Sequence, residues 1–293
     1  MKQYESLFKR YREQELDTVF AHFPAVAGDY DAKFKELANI TSDGYDQWIF
    51  HQPRFIQKYH RTSVPKLKNY LDYTFTRLQD LERDNSGKYF VFSSDGSRVC
   101  FNTGLQNSNQ SDLIATFQKA TPNPLDPNKP ITEWVYRGCW APIDYGYRNH
   151  FPQDGLPEFA WYSTDSRDYV FDTSYKLDSD VFDHMFVRAK ERAGMPNASD
   201  DAVRIYLRGT LQDMVFEIRR NYKVAIPVYY VNEKRMQLLL PFPSFSDKNE
   251  YASFLIDRDD TSKRYRIKTI FDLDQAYFSA RLITRPDRDW LNP

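Results

Sequence analysis

One stretch, residues 211–242, constrains the fold more than any other part of the sequence. Its first part has apolar residues at helical spacing. Its second part is a β-branched and aromatic run, residues 224–231, followed by a turn and a return strand at residues 236–240. Pro227 places the first strand at an edge, at a bulge or where the ladder parts, because proline cannot donate to a β-ladder. The stretch predicts a helix followed by a β-hairpin.

Between the helix and the hairpin lies a cationic corner, which we define as residues 219–223. It reads Arg219, Arg220, Asn221, Tyr222 and Lys223. Basic residues after a helix can satisfy its last carbonyl groups, and this is the simpler interpretation. Three cations with an amide and a phenol exceed what capping needs, and arginine and lysine both bind phosphate. The corner is therefore a candidate wall of a phosphate site, in which Tyr222 would stack on a base or bind a phosphate.

A second candidate follows the clearest hairpin signal in the chain. Two β-rich runs, residues 88–92 and 98–102, flank an Asp95-Gly96 turn. The second run leads into Asn102, Thr103 and Gly104. At a strand end these residues offer amide, hydroxyl and backbone N–H groups to a ligand, although an ordinary turn would explain them as well.

The remaining patterns predict an α+β fold with one mainly antiparallel sheet flanked by helices. Further strands are expected at residues 134–136, 252–257 and 265–270, and residues 159–162 are expected to pair in a sheet. A helix should begin at Pro65, with Lys66 on its charged outer face, and Asp272 should cap the last helix. Residues 107–130 are expected to be loop-rich. We expect a helical N-terminal region at residues 1–62 and one α+β domain at residues 63–293.

Composition excludes several classes of protein. Hydrophobic residues make up 41% of the chain and aromatic residues 16%, which disfavours disorder. The formal net charge is −1, so any nucleic-acid site must be a local patch. There is no secretory signal pattern and no apolar run of about 18 residues, which predicts a cytoplasmic protein without a membrane span.

Familiar catalytic motifs are missing. The sequence has no P-loop, dinucleotide-binding, zinc-protease or nucleophile-elbow motif. Its two cysteines, Cys100 and Cys139, lack an evident base, and its five histidines are scattered. These observations predict no metal site and no cofactor, and they leave catalytic residues unidentified.

Four motifs in order resemble the uncharacterised bacterial family DUF3825. They are Cys100-Phe101-Asn102-Thr103-Gly104-Leu105, the run from Arg219 to Pro227, Gln237-Leu238-Leu239-Leu240-Pro241, and Leu273-Asp274-x-Ala276-Tyr277-x-x-Ala280-Arg281-Leu282-Ile283. That family resembles a domain associated with OST-HTH (LOTUS) modules, and this context implies RNA. The resemblance adds Gln237, Asp274 and Arg281 to the candidate ligand contacts.

Three hypotheses follow. The first is an RNA- or nucleotide-binding protein in which Arg219, Arg220 and Lys223 hold phosphate and the other candidates complete the pocket. The second is an enzyme acting on a nucleotide or phosphoester, with an acid such as Asp274. The third is a structural protein that binds a protein partner, or forms a homo-oligomer, through the N-terminal region.

Overall fold

The computed structural model describes residues 2–51, 56, 62–122, 131–152, 155–178, 183–247 and 251–283. The chain divides into two compact units, Met1–Trp161 and Tyr162–Pro293. The predicted boundary at residue 62 therefore falls inside the first unit. Each unit contains a five-stranded, mostly antiparallel sheet with helices, so the fold class is α+β. The expectation of a single sheet is wrong, because the strands on either side of residue 162 belong to separate sheets.

The sheet of the first unit has the strand order β1-β5-β4-β3-β2. These strands are β1 (Ala21–His22), β2 (Val91–Phe92), β3 (Arg98–Gln106), β4 (Asp112–Lys119) and β5 (Trp134–Trp140). Strands β2 and β3 pair around the Asp95-Gly96 turn, which confirms the predicted hairpin. Strand β4 crosses the region expected to be loop-rich and pairs with both β3 and β5. The expected pairing of residues 159–162 is wrong, because they belong to no strand.

Helix α2 (Pro65–Asp84) begins at Pro65 as predicted, and its apolar stripe is buried. Phe75 on this stripe lies 5.8 Å, between ring centroids, from both Phe90 and Phe101. Lys66, expected on the solvated face, is 0% exposed. A shorter helix, α3 (Tyr145–Arg148), places Tyr147 in a separate cluster with Cys100 and Ile114.

The prediction of a helical N-terminal region is wrong for the first 30 residues. Their described part is mostly extended or turn, with a single 3₁₀ turn at Leu16–Thr18, and helix α1 begins at Ala32 and ends at Ile40. Side chains of α2 bind the extended backbone: the N–H of Tyr4 donates to Gln79 at 2.8 Å, and that of Leu7 donates to Asp72 at 2.8 Å. These partners lie more than 60 residues away, so local periodicity could not reveal them.

The sheet of the second unit has the strand order β6-β10-β9-β8-β7. Its strands are β6 (Lys176–Leu177), β7 (Ile226–Tyr230), β8 (Arg235–Pro243), β9 (Tyr251–Asp259) and β10 (Arg264–Asp272). Strands β7 and β8 form the predicted hairpin, and β7 lies at the sheet edge, where Pro227 is tolerated.

Helices cover both faces of this sheet. They are α4 (Asp183–Arg192), α5 (Asp200–Arg220) and α6 (Leu273–Arg281). Leu238 and Leu240 pack in the core with α4 and α5, whereas Leu239 packs on the opposite face with α6. This burial on both faces explains the continuous apolar run in β8. Of the helices that the structure describes, none is long and apolar enough to cross a bilayer.

Candidate functional site

Asn102, Thr103 and Gly104 lie in β3 of the first unit, and their polar groups make internal hydrogen bonds. Asn102 donates to Asp112 at 3.0 Å and accepts from the Gly104 N–H at 2.9 Å. The Thr103 hydroxyl donates to the Leu113 carbonyl at 2.6 Å. These bonds lie where the register between β3 and β4 shifts. The three residues therefore stabilise an irregular strand.

Gly104 has a specific backbone role at this irregularity. Its φ angle is +71°, and a Cβ atom added there would meet the Tyr70 hydroxyl at 2.9 Å. A residue with a side chain would be strained in this conformation. Glycine is therefore required at this position by the fold itself.

The cationic corner lies at the end of α5, in the second unit, and all five of its residues are exposed. Arg220 pairs with Glu217 at 2.9 Å, one helical turn earlier. The Asn221 side chain accepts from the Lys223 N–H at 3.2 Å and caps a 3₁₀ turn at Tyr222–Val224. The corner thus ends one helix and begins another turn, and its cations face solvent.

The other three candidates are buried in the second unit. Gln237 lies in β8 and is 2% exposed, and Asp274 and Arg281 lie in the first and last turns of α6. Gln237 lies two residues before Leu239 in β8, so the two residues share the face of the sheet that α6 covers. Its Nε2 donates to Glu233 Oε2 at 3.1 Å. This contact connects Gln237 to a basic cavity of the second unit.

We call that cavity the β10 pocket. Its volume is about 220 Å³, and it is lined by Arg188, Arg192, Tyr230, Glu233, Lys268, Thr269, Phe271 and Gln275. Three of these side chains are cations and one is a carboxylate, so the lining carries a net charge of +2. The arrangement can hold an anionic group against several N–H donors.

A β-bulge positions Lys268. Ile267 pairs with Ile256, and Thr269 pairs with the next residue of β9, Leu255, so Lys268 is an extra residue in the ladder. An extra residue of this kind redirects the side chains beside it. Lys268 and Thr269, adjacent in sequence, consequently both line the pocket.

Helix α4 supplies the two arginines. Arg188 and Arg192 are four residues apart and therefore lie on the same side of the helix. The Nη1 of Arg192 donates to the carbonyl of Ile270 at 2.6 Å, which fixes its guanidinium at β10. At the start of α6, Asp272 accepts from the Gln275 N–H at 2.9 Å, which confirms the predicted cap, and Gln275 lines the pocket.

Glu233 organises the cations around it. Its carboxylate lies 3.0 Å from Lys268 Nζ and 3.0 Å from Arg235 Nε. Burial acts to raise the pKa of Glu233, but the hydrogen bond and charge of Lys268, and then those of Arg235, lower it below its usual value. Glu233 is therefore ionised at neutral pH and holds Lys268 in place.

The cysteines are poor nucleophiles in this fold. Both are buried. Burial raises the pKa of Cys139 to about 12 and raises that of Cys100 as well. A thiolate is the reactive form, so neither side chain is activated at neutral pH. Within the described ranges, no group of three or more His, Cys, Asp or Glu side chains is arranged to hold a metal ion.

Sequence reasoning missed most of the β10 pocket. The spacing of Arg188 and Arg192, four residues apart as on one side of a helix, is a usable signal in the sequence. Lys268 gave none, because a bulge has no clear sequence pattern when no glycine marks it. Glu233 and Tyr230 belong to the predicted hairpin, but only the fold brings them beside α4.

Comparison with known families matches residues 44–290 to a domain of unknown function, DUF3825. The match includes all four motifs noted in the sequence. No curated protein and no solved structure matches the chain. The likeness to OST-HTH-associated domains stays a prediction. Because the family model covers most of the chain, this protein belongs to the DUF3825 family.

Proposed function

We propose that this protein binds RNA or a nucleotide through a phosphate group held in the β10 pocket. One observation carries the proposal: Arg188, Arg192 and Lys268, from two separate elements, line a single cavity. Cations scattered over a surface do not act together on one ligand. Their convergence around a polar cavity instead provides a site for an anion.

The donor chemistry suits phosphate. Each guanidinium offers a planar fork of N–H groups that matches two phosphate oxygens, and Lys268 adds a compact positive charge. Arg192 and Lys268 are already held by Ile270 and Glu233. Less side-chain entropy is lost when a ligand binds such preorganised groups.

The size and lining of the pocket favour part of a nucleotide. Cavities that enclose a whole small ligand are roughly 300–1,000 Å³, whereas the β10 pocket is about 220 Å³. It therefore encloses the phosphate and its neighbouring sugar and leaves the rest of the ligand outside. Tyr230 and Phe271, with ring centroids 6.3 Å apart, supply aromatic surface for the nucleoside.

Of the residues predicted from the sequence, Gln237 has a defined role in this proposal. Its amide contacts Glu233, which in turn contacts Lys268. Gln237 is thus a positioning residue behind the cations. The cationic corner is exposed and makes capping contacts, so variants of its cations serve as the control for variants of the pocket.

The enzyme alternative would place a proton donor or acceptor beside the phosphate. Among the described residues that line the pocket, Glu233 is the one carboxylate. Its lowered pKa makes it a weak base and, at neutral pH, an ineffective acid. This favours binding over phosphoester cleavage.

Titration of labelled RNA and of nucleoside monophosphates at two salt concentrations tests the proposal. In the Arg188→Ala/Lys268→Ala variant the affinity of the β10 pocket should fall about 100-fold, because two charge-assisted contacts contribute about 1.5 kcal/mol each. Affinity should also fall as salt rises. The matched control, Arg219→Ala/Lys223→Ala, removes the same residue types from the corner and should change affinity less than about twofold. Equal losses in both variants, or no binding by the unaltered protein, would overturn the proposal.

A further inference from the structure

The first unit contains a second basic cavity, which we call the α2 pocket. Its volume is about 320 Å³, and it is lined by Phe8, Lys9, Arg10, Tyr11, Thr62, Pro65, Lys68 and Asn69. Among these residues three are cations and none is a carboxylate. The cavity falls within the size range of whole small-ligand sites, roughly 300–1,000 Å³.

Two carboxylates form ion pairs with two of the three cations. Arg10 Nη1 lies 2.8 Å from Asp72, and Lys68 Nζ lies 2.5 Å from Asp31. The Asp72 and Asp31 side chains are 5% and 10% exposed, whereas those of Arg10 and Lys68 are 28% and 18% exposed. The acids are therefore the more buried partners, and neither lines the cavity. The cavity wall consequently presents positive charge and N–H groups.

The donors of Arg10 are only partly used by these contacts. Its Nη1 binds Asp72, and its Nη2 donates to Asn69 at 2.9 Å. A guanidinium has five N–H groups and an ammonium has three, so Arg10 and Lys68 retain donors beyond the bonds to Asp72, Asn69 and Asp31. Lys9, which is exposed, adds a third positive charge at the same cavity.

The remaining lining is aromatic, apolar and neutral polar. Tyr11 is 65% exposed, so its ring is accessible from solvent. Phe8 and Pro65 provide apolar surface, and Thr62 and Asn69 provide neutral hydrogen-bonding groups. This combination suits a ligand with a planar ring, polar ring substituents and an anionic group.

We propose that the α2 pocket is a separate binding site for a nucleoside phosphate, with the phosphate on Arg10, Lys68 and Lys9 and the nucleoside against Tyr11. The phosphate would belong either to a free nucleotide or to the end of an RNA strand. Lys9, Arg10 and Tyr11 precede residues 44–290, the part that the family model matches. This site therefore depends in part on a segment outside the family domain, and it shares no lining residue with the β10 pocket.

The test uses the full chain with the Arg188→Ala/Lys268→Ala background, so that binding at the β10 pocket does not contribute. AMP, inorganic phosphate, adenosine and a 5′-phosphorylated RNA are titrated separately. Lys9→Glu should weaken AMP binding about tenfold, whereas Lys119→Glu, the same change at an exposed residue outside the pocket, should change it less than about twofold. Lys9 and Lys119 are both exposed, so neither substitution should alter thermal unfolding.

Tyr11→Ala separates a nucleoside site from a general anion site. It should weaken AMP about fivefold and leave inorganic phosphate unchanged, because stacking concerns the base alone. RNA binding as tight as that of AMP identifies a strand end, and much weaker RNA binding identifies a free nucleotide. No AMP binding in this background, or equal effects of Lys9→Glu and Lys119→Glu, would overturn the proposal without bearing on the β10 pocket.

Discussion

The cationic corner and the β10 pocket contain similar side chains in different settings. The corner has three cations within five consecutive residues, all exposed to solvent. The three cations of the β10 pocket come from α4 and β10, and they lie around one cavity. The first and last of them, Arg188 and Lys268, are 80 residues apart in sequence. Density of charge along a sequence is therefore a different property from convergence of charge in space.

The physical difference concerns what surrounds each cation. An exposed ion pair such as Arg220–Glu217 is screened by water and contributes little. Lys268 is held by Glu233, and Arg192 is held by a backbone carbonyl, within a partly enclosed cavity. Arg188 and Lys268 are themselves exposed, so the β10 pocket differs from the corner in gathering its cations around one cavity and not in removing them from water.

The largest effect on stability that distinguishes the two regions concerns their caps. Asp272→Ala removes the cap of α6, which positions Gln275 in the β10 pocket, and should cost about 0.5–2 kcal/mol of unfolding free energy. Asn221→Ala removes the exposed cap at the corner and should cost less than about 0.5 kcal/mol. Urea unfolding measures both. A larger cost at Asn221 would contradict the idea that the corner is the weaker structure.

A smaller effect concerns the carboxylate in the β10 pocket. Glu233→Gln keeps the shape of the side chain but removes a negative charge beside the ligand, so nucleotide affinity should rise about threefold. Glu217→Gln makes the matched change beside the corner and should leave affinity unaltered. Isothermal titration calorimetry at constant salt can measure both. Weaker binding by Glu233→Gln would contradict this expectation and would show that the contact with Lys268 matters more than the negative charge that is removed.

The smallest effect is the dependence of stability on pH. The pKa of Glu233 is lowered in the folded state, so its contribution is fully present above the ordinary value of 4.5 and is lost as pH falls through the lowered pKa. The difference in unfolding free energy between the unaltered protein and Glu233→Gln should therefore shrink as pH falls below 4.5. A difference that grows over this range would mean that the pKa is raised.

Much of the fold could be predicted because the signals were local. The Asp95-Gly96 turn, Pro65 at a helix start and the Asp272 cap each act within a few residues. The β7–β8 hairpin followed from a β-branched run and its turn. Such features depend on neighbouring backbone geometry, which the sequence specifies directly.

The N-terminal segment and the site could not be predicted in the same way. Tyr4 and Leu7 have helical spacing, but side chains of α2 bind their backbone groups and keep the segment extended. The β10 pocket depends on a bulge at Lys268 and on the packing of α4 against β10. Both depend on contacts between residues far apart in sequence, which spacing within one segment does not report.

The most direct test of the central claim is a crystal structure of the protein with a nucleoside monophosphate bound. We predict phosphate density within hydrogen-bond distance of Lys268 Nζ and of the guanidinium groups of Arg188 and Arg192. Phosphate density between Arg219 and Lys223, with the β10 pocket unoccupied at saturating nucleotide, would contradict the account.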